Sequence, residues 1–265
     1  MGTAGCQTPR ATEPTGGGGA NNNGSNASSS MRFVHLPRQA LRRRLLDAVA
    51  PGTIRWGAKL ASFDASVSEG VSIALTSGEE IRASLLVGAD GIFSAVRKGL
   101  KLPNDRLKYV GLIVALGIVP DERMEVRLAR ERVFETVDGA ARVYAMPFTR
   151  TSTMWQLSFP CGEAEAKRLS GDPEALKAAL VKRCEGWHDP VPEMLRATRL
   201  EDMSGYPVYD RDALRREIFS RGEKKLSAMK SPSRRVTLVG DAAHPMTPFK
   251  AQGANQAVAD ATLLA

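Results

Sequence analysis

Asp241 stands just behind a short apolar run, Val236-Thr237-Leu238-Val239, that Gly240 closes. A run of this kind reads as a buried strand of an α/β sheet. After the acid, Pro245 and Pro248 keep the chain from closing into a helix too early, and Gly253 permits close backbone approach or positive φ. A helix can then start at Ala254 and Asn255, with Ala257, Val258, Ala261 and Leu264 at helical spacing. The chemistry on offer is one hydroxyl acceptor, the Asp241 carboxylate, beside the free N–H donors of a helix start. A ligand that joins a polyol to a negative charge would use both. Spacing alone leaves a plain strand-to-helix turn with a surface Asp equally open, because glycine-bearing loops are common in α/β folds.

The same logic occurs a second time. Leu85-Leu86-Val87-Gly88 runs into Ala89-Asp90-Gly91-Ile92-Phe93-Ser94-Ala95-Val96-Arg97, again a carboxylate at a strand end before a helix start. Asp-Gly by itself is an ordinary turn signal. Two such sites facing one crevice are what a doubly wound sheet presents to a dinucleotide. A flavin cofactor has the right parts, a ribityl chain for Asp241 and, once reduced, a negative charge for the helix dipole.

On these residues the chain resembles the FAD-dependent aromatic hydroxylases, the single-component flavoprotein monooxygenases that include p-hydroxybenzoate and salicylate hydroxylases and zeaxanthin epoxidase. Gly240-Asp241-Ala242-Ala243-His244-Pro245, Gln252-Gly253-Ala254-Asn255 and Asp260-Ala261 are similar to that family's GD motif. Asp90, Gly91, Ser94 and Arg97 match its DG motif, and Arg38, Leu41 and Leu45 match a segment that carries an arginine near the cofactor's ribose and pyrophosphate. Ala251 stands where the family usually has glycine. The resemblance implies FAD as cofactor, NAD(P)H as co-substrate, and oxygen transfer to an aromatic or isoprenoid small molecule. It further implies Arg38, Asp90, Gly91, Arg97, Gly240, Asp241, Pro248, Gly253, Ala254 and Asn255 as cofactor-binding residues. No side chain is assigned as a catalytic acid or base, since the flavin carries the chemistry. His244 is expected to be structural.

The elements that must position these residues can be read in part. The chain has 265 residues, of which 43% are hydrophobic, enough for a substantial core. Residues 1 to 30 are Gly, Asn, Ser and Thr with little that is apolar, and are expected to form a disordered tail. Val34 to Val49 reads as an amphipathic helix entered through Pro37, and Thr53 to Trp56 as a short strand. Lys59 to Asp64, Val71 to Leu75 and Glu80 to Ala83 alternate as a β-meander. Tyr109 to Val119, Met124 to Leu128, Val133 to Thr136, Arg142 to Pro147 and Thr153 to Phe159 predict an antiparallel sheet. Within it Tyr144, Met146, Trp155 and Leu157 could face a ligand, with core packing the commoner fate. Pro173 to Cys184 predicts a helix, Trp187 to Val208 an extended return held open by Pro190, Pro192 and Pro207, and Arg211 to Lys230 a charged, helix-prone segment.

The expected fold is therefore α/β: an FAD/NAD(P)-binding doubly wound sheet built from 31–103 and 233–265, with an antiparallel-sheet substrate domain at 104–232. The family's opening strand, G-x-G-x-x-G turn and helix are not found, and Gly16 to Gly19 follows no apolar strand. On this reading the chain is the middle of a longer family protein, cut at both ends. A non-catalytic remnant or interaction module that binds FAD weakly or not at all is the alternative.

A formal charge of +8 comes from interspersed residues with no aromatic stripe, which argues against nucleic acid as a partner. The three cysteines, Cys6, Cys161 and Cys184, are far apart and lack metal-ligand spacing, so no metal is expected and a reducing, intracellular compartment (cytoplasm or organelle) fits. The apolar run from Leu112 to Val119 is too short to span a bilayer. Oligomeric state, substrate and the choice of NADH or NADPH are left open.

Overall fold

The computed structural model describes residues 36–65, 70–102, 105–125, 133–212, 214 and 235–265. The expected tail at 1–30, nearly all of Arg211 to Lys230 and most of the Met124 to Leu128 strand lie outside them.

The chain enters through Pro37 into α1 (Arg38–Asp47), whose fixed φ suits the first turn. The Thr53 to Trp56 strand does not form. Gly52 at φ +82° and Gly57 at φ +74° turn the backbone on both sides of it, leaving no straight segment to pair. The meander is observed: β1 (Leu60–Asp64), β2 (Val71–Leu75) and β3 (Glu80–Ala83) form an antiparallel sheet in that order.

β4 (Leu86–Gly88) and β10 (Val236–Leu238), 150 positions apart by register, pair in parallel, Val236 opposite Leu86 and Leu238 opposite Gly88. Each leads into a helix, α2 (Ala95–Gly99) and α6 (Gly253–Leu264) respectively. Gly88 is needed for that packing, because a Cβ there would come within 2.6 Å of Leu238 Cδ2 and 2.8 Å of Val96 Cβ. Val71, Val96, Val236, Leu238 and Ala242 make a small core around this junction.

The larger core belongs to a five-stranded antiparallel sheet of order β6-β7-β8-β5-β9. Its strands are β5 (Lys108–Pro120), β6 (Phe134–Val137), β7 (Arg142–Thr149), β8 (Ser152–Pro160) and β9 (Met203–Asp210). One face is covered by α3 (Glu163–Gly171), α4 (Pro173–Arg183) and α5 (Val191–Ala197). The helix α5 replaces the first part of the expected extended return, while Met203 to Val208 is extended, within β9. Pro192 falls in its first turn, where a missing N–H costs nothing, and Pro190 precedes it.

Register assigns the two faces. Trp155 and Leu157 are fully buried towards the helices, and Trp155 Nε1 donates to Thr198 Oγ1 at 2.8 Å. Tyr144 and Met146 pair with Gln156 and Met154 on the opposite face, where all four are half-buried. The four residues that could have faced a ligand together are thus split two and two.

Candidate cofactor site

The parallel pairing of β4 with β10 brings the two motif loops to the same edge, the carboxyl ends of adjacent strands. That edge is where α/β sheets bind ligands.

In the second loop, Gly240 takes φ +57°, and a Cβ on it would lie 3.1 Å from Ala257 Cβ. The loop is stapled to α6 by Asp260, whose Oδ2 accepts from Gly240 N at 2.7 Å and lies 2.6 Å from His244 Nε2. The Gly240 N–H, helped by His244, holds the Asp260 carboxyl below the usual carboxylate range. His244 is therefore engaged inside the loop. After Pro248 opens a single 3-10 turn, Ala251 adopts the left-handed conformation at φ 51° and ψ 31°. That is the position where the family's glycine would be unstrained, and here an alanine bears the cost.

No side chain caps α6, and its first backbone bond runs from Gln256 N to Gln252 O at 2.9 Å. The N–H groups of Gly253, Ala254 and Asn255 are left as donors at a positive helix end. The exposed Asp241 carboxylate has no hydrogen-bond partner among the described residues. A Cβ added at Gly253 would sit 3.7 Å from Asp241 Oδ1, so glycine keeps open the space between the acid and the helix. An acceptor beside an uncapped helix start is what a polyol joined to an anion requires.

The first loop is arranged differently. Asp90 Oδ1 accepts from Ser94 Oγ at 2.5 Å, while Oδ2 accepts from Ala95 N at 2.7 Å and Val96 N at 3.2 Å. Ser94 Oγ in turn accepts from Arg97 N at 2.9 Å. Gly91 supplies φ +79° for the turn. Asp90 thus caps the helix that follows it.

Arg97 joins the two loops. Only 2% exposed, its Nη1 donates to Ala242 O at 3.0 Å and Ala243 O at 2.6 Å, and its Nε to Asp105 Oδ1 at 2.9 Å. Burial draws the guanidinium below the ordinary arginine range, opposed by Asp105. Asp105 also receives Arg211 Nη1 at 2.9 Å, and Arg211 bonds Ile92 O through Nε at 3.3 Å and Nη2 at 3.2 Å. Arg211 directly follows β9, so the large sheet is tied to both loops through one carboxylate. Neither Asp105 nor Arg211 was legible as a site residue: Arg211 meets Asp105 and Ile92 across more than a hundred positions, and the bond of Asp105 to Arg97, eight positions back, follows no motif spacing.

Arg38 is exposed on α1 and lies close enough to Tyr206 of β9 to lower its phenol, although burial, the larger influence, raises it. Tyr206 pairs with Val114, on the sheet face away from α3 to α5.

A family model described as an FAD binding domain matches residues 9–265. The chain belongs to the flavoprotein monooxygenase family. Among relatives of this family member, a 3-amino-4-hydroxybenzoate 2-monooxygenase of Streptomyces platensis is 31% identical over 87% of the chain and 53% of its own length. A chloroplastic zeaxanthin epoxidase of Nicotiana plumbaginifolia is 32% identical over 87% of the chain and 31% of its own length. The crystal structure of Klebsiella pneumoniae HpxO complexed with FAD and uric acid superposes with a TM-score of 0.69 at 26% identity, covering 86% of the chain and 53% of HpxO. The chain spans about half the length of the first curated relatives it matches. The fold expected from the sequence is the family's, with FAD as its cofactor and NAD(P)H as its typical co-substrate. The matches lend no support to a non-catalytic remnant. Among the described residues no helix is long and apolar enough to cross a membrane, and no cluster of His, Cys, Asp and Glu could hold a metal ion.

Proposed function

We propose that this chain carries the flavin loops and the substrate sheet of an FAD-dependent monooxygenase, which uses NAD(P)H and dioxygen to hydroxylate or epoxidise an aromatic or isoprenoid substrate. The observation that carries the reading is the Asp241 carboxylate, without a hydrogen-bond partner among the described residues, beside the uncapped start of α6 at the carboxyl edge of the parallel strands.

Asp241 would accept hydrogen bonds from the ribityl hydroxyls of FAD, and the N–H groups of Gly253, Ala254 and Asn255 would stabilise negative charge on its ring. Pro248 and Gly240 fix the loop between them. Asp90 with Gly91 and Arg38 border the ribose and pyrophosphate, and Arg97 positions both loops from beneath. Bound FAD supplies the transfer of electrons from NAD(P)H and the activation of dioxygen. The protein's own work is to bind, orient and exclude water, so no catalytic acid or base is assigned. The flavin-binding part then comprises 31–103 and 233–265, and the substrate part 104–232.

The substrate lies on the open face of the large sheet. Leu116, Tyr144, Met146, Met154, Gln156 and Tyr206 share that face by register. At the β7 end two charged residues, Arg142 and Glu135, are bonded to each other at 2.6 Å, and the Arg142 guanidinium lies 5.6 Å from the centre of the Tyr144 ring. An apolar floor with aromatic rings and a few neutral hydrogen-bonding groups suits a ring system or a polyene.

The test is to purify the full chain, record its absorption spectrum with and without added FAD, and follow NAD(P)H oxidation on adding phenolic substrates. Flavin bands with substrate-stimulated oxidation support the reading. A colourless protein that ignores added FAD overturns it.

A further inference from the structure

The open face of the large sheet is laid out in rows. On β8, the middle strand, Met154 lies between Met146 of β7 and Ile118 of β5, and all three are half-buried. Two positions on, Gln156 lies between Tyr144 and Leu116. Such rows are about 7 Å apart and neighbours within one about 5 Å apart, so the first row is an apolar bed wide enough for a ring. Two thioethers make that bed adaptable and favourable to π-systems. Gln156 stands at its border. Its half-buried amide has no hydrogen-bond partner among the described residues, and the neighbouring Tyr144 hydroxyl is directed instead to Met146 Sδ at 3.3 Å. An amide flanked by a ring and a leucine offsets its desolvation only where something polar meets it. Of the other polar groups in these rows, Ser158 is buried, and Ser204 and Tyr206 are exposed on β9. Arg142 and Glu135, the charged residues in the rows of Ser158 and Gln156, neutralise each other at 2.6 Å. Arg38 acts on Tyr206, two strands from Gln156. Next to Ile118 the chain places an acid, Asp202, whose backbone oxygen accepts from Ile118 N at 3.1 Å. A carboxylate laid on this bed would find no unmatched cation, whereas an amide offers a donor and an acceptor to a neutral oxygen group.

We infer that Gln156 sets the substrate specificity, selecting an uncharged ring or polyene that carries a hydroxyl or carbonyl group over its carboxylate counterpart. This specificity rests on the proposed placement of the substrate on the open face, and it names the chemistry that the face accepts. The hydrocarbon lies on the row of Met146, Met154 and Ile118, and its oxygen meets the Gln156 amide.

Calorimetric titration of the full chain, with and without saturating FAD, compares two pairs of probes alike in skeleton: 4-hydroxybenzamide with 4-hydroxybenzoate, and geraniol with geranate. The neutral member of each pair is expected to bind about tenfold or more tightly, with no dependence on salt. Gln156→Leu removes the amide and should weaken both neutral probes about fivefold or more. Gln156→Arg should invert the preference, because it supplies the missing cation. A Gln156 that merely held the sheet together would produce neither change at constant melting temperature. Should the arginine unfold the sheet, the leucine variant alone decides. Arg142→Gln should leave the affinities of all four probes within about twofold, since that charge is already matched. Preference for the carboxylates in the parent, no saturable binding by either pair, or indifference of the neutral probes to Gln156→Leu overturns the inference. The flavin spectrum of the same sample tests the monooxygenase reading separately. Flavin bands with a carboxylate preference leave that reading standing and sink this one, and neutral, Gln156-dependent binding by a protein that takes up no FAD does the reverse.

Discussion

The Asp90 and Asp241 loops look alike in sequence and behave differently in space. Each places an acid between a parallel strand and a helix, yet Asp90 spends both oxygens on Ser94, Ala95 and Val96 while Asp241 spends none among the described residues. The helix after Asp90 is capped, and the helix after the Asp241 loop is not. An acid that is satisfied by its own chain holds the fold, and an acid left unsatisfied beside free N–H groups is available to a ligand. The motif pair is thus one internal brace and one outward-facing grip, with Arg97 as the bolt between them.

The largest effect is expected at that bolt. Arg97→Met leaves the Ala242 and Ala243 carbonyls without their donor and half-empties Asp105, and should cost about 3–5 kcal/mol of stability in a urea titration. A loss below about 1 kcal/mol would show that the loops hold together without it.

The two acids should then separate cleanly. Asp90→Ala is expected to lower stability by about 1–2 kcal/mol through the lost helix cap, with Asp90→Asn recovering part of it. Asp241→Ala should change stability by no more than about 0.5 kcal/mol but weaken FAD binding about tenfold or more, near 1.4 kcal/mol. Equal effects of the two substitutions on both measurements would erase the distinction.

The Asp260 staple adds a pH signature. Its folded carboxyl is held below the ordinary value, so its contribution to stability is present above the unfolded value of about 3.9 and is lost as the pH falls through the folded one. Asp260→Asn should therefore be less stable than the parent at neutral pH and converge with it in strong acid, read as the two acid-unfolding curves meeting. Curves that stay parallel down to the lowest pH would remove the ionised staple.

The smallest effect belongs to Ala251→Gly, which relieves a left-handed alanine and should raise stability by about 0.5–1 kcal/mol by thermal melting. A destabilised variant would show that the torsion there is not strained.

Much of this arrangement was visible in the chain. The strands β1 to β3 and β5 to β8 announce themselves by alternation, and β4 and β10 by apolar runs that end in glycine. The strand β9 was read only as an extended return, because Gly205 and Pro207 interrupt the alternation that marks the other strands. It runs along the edge of the sheet, where a missing N–H is tolerated, and Gly205 makes room for Leu176 of α4. Helix α5 was hidden by prolines for the matching reason, that a helix start does not need those N–H groups. Within the site, the acids and glycines could be found from local spacing. The link of Asp105 to Arg211 could not, because it closes between residues 106 positions apart and follows no periodicity.

Gly117 has one more consequence. Any side chain there would collide with the indole of Trp155, so the glycine lets that ring lie flat in the sealed side of the sheet, at 0% exposure. Trp56, by contrast, is 69% exposed, and Trp187 lies between the two. Three indoles in three degrees of wetness give the molecule its own optical gauges. Acrylamide should extinguish the emission of Trp56 first and spare the blue-shifted glow of Trp155 until the sheet itself opens.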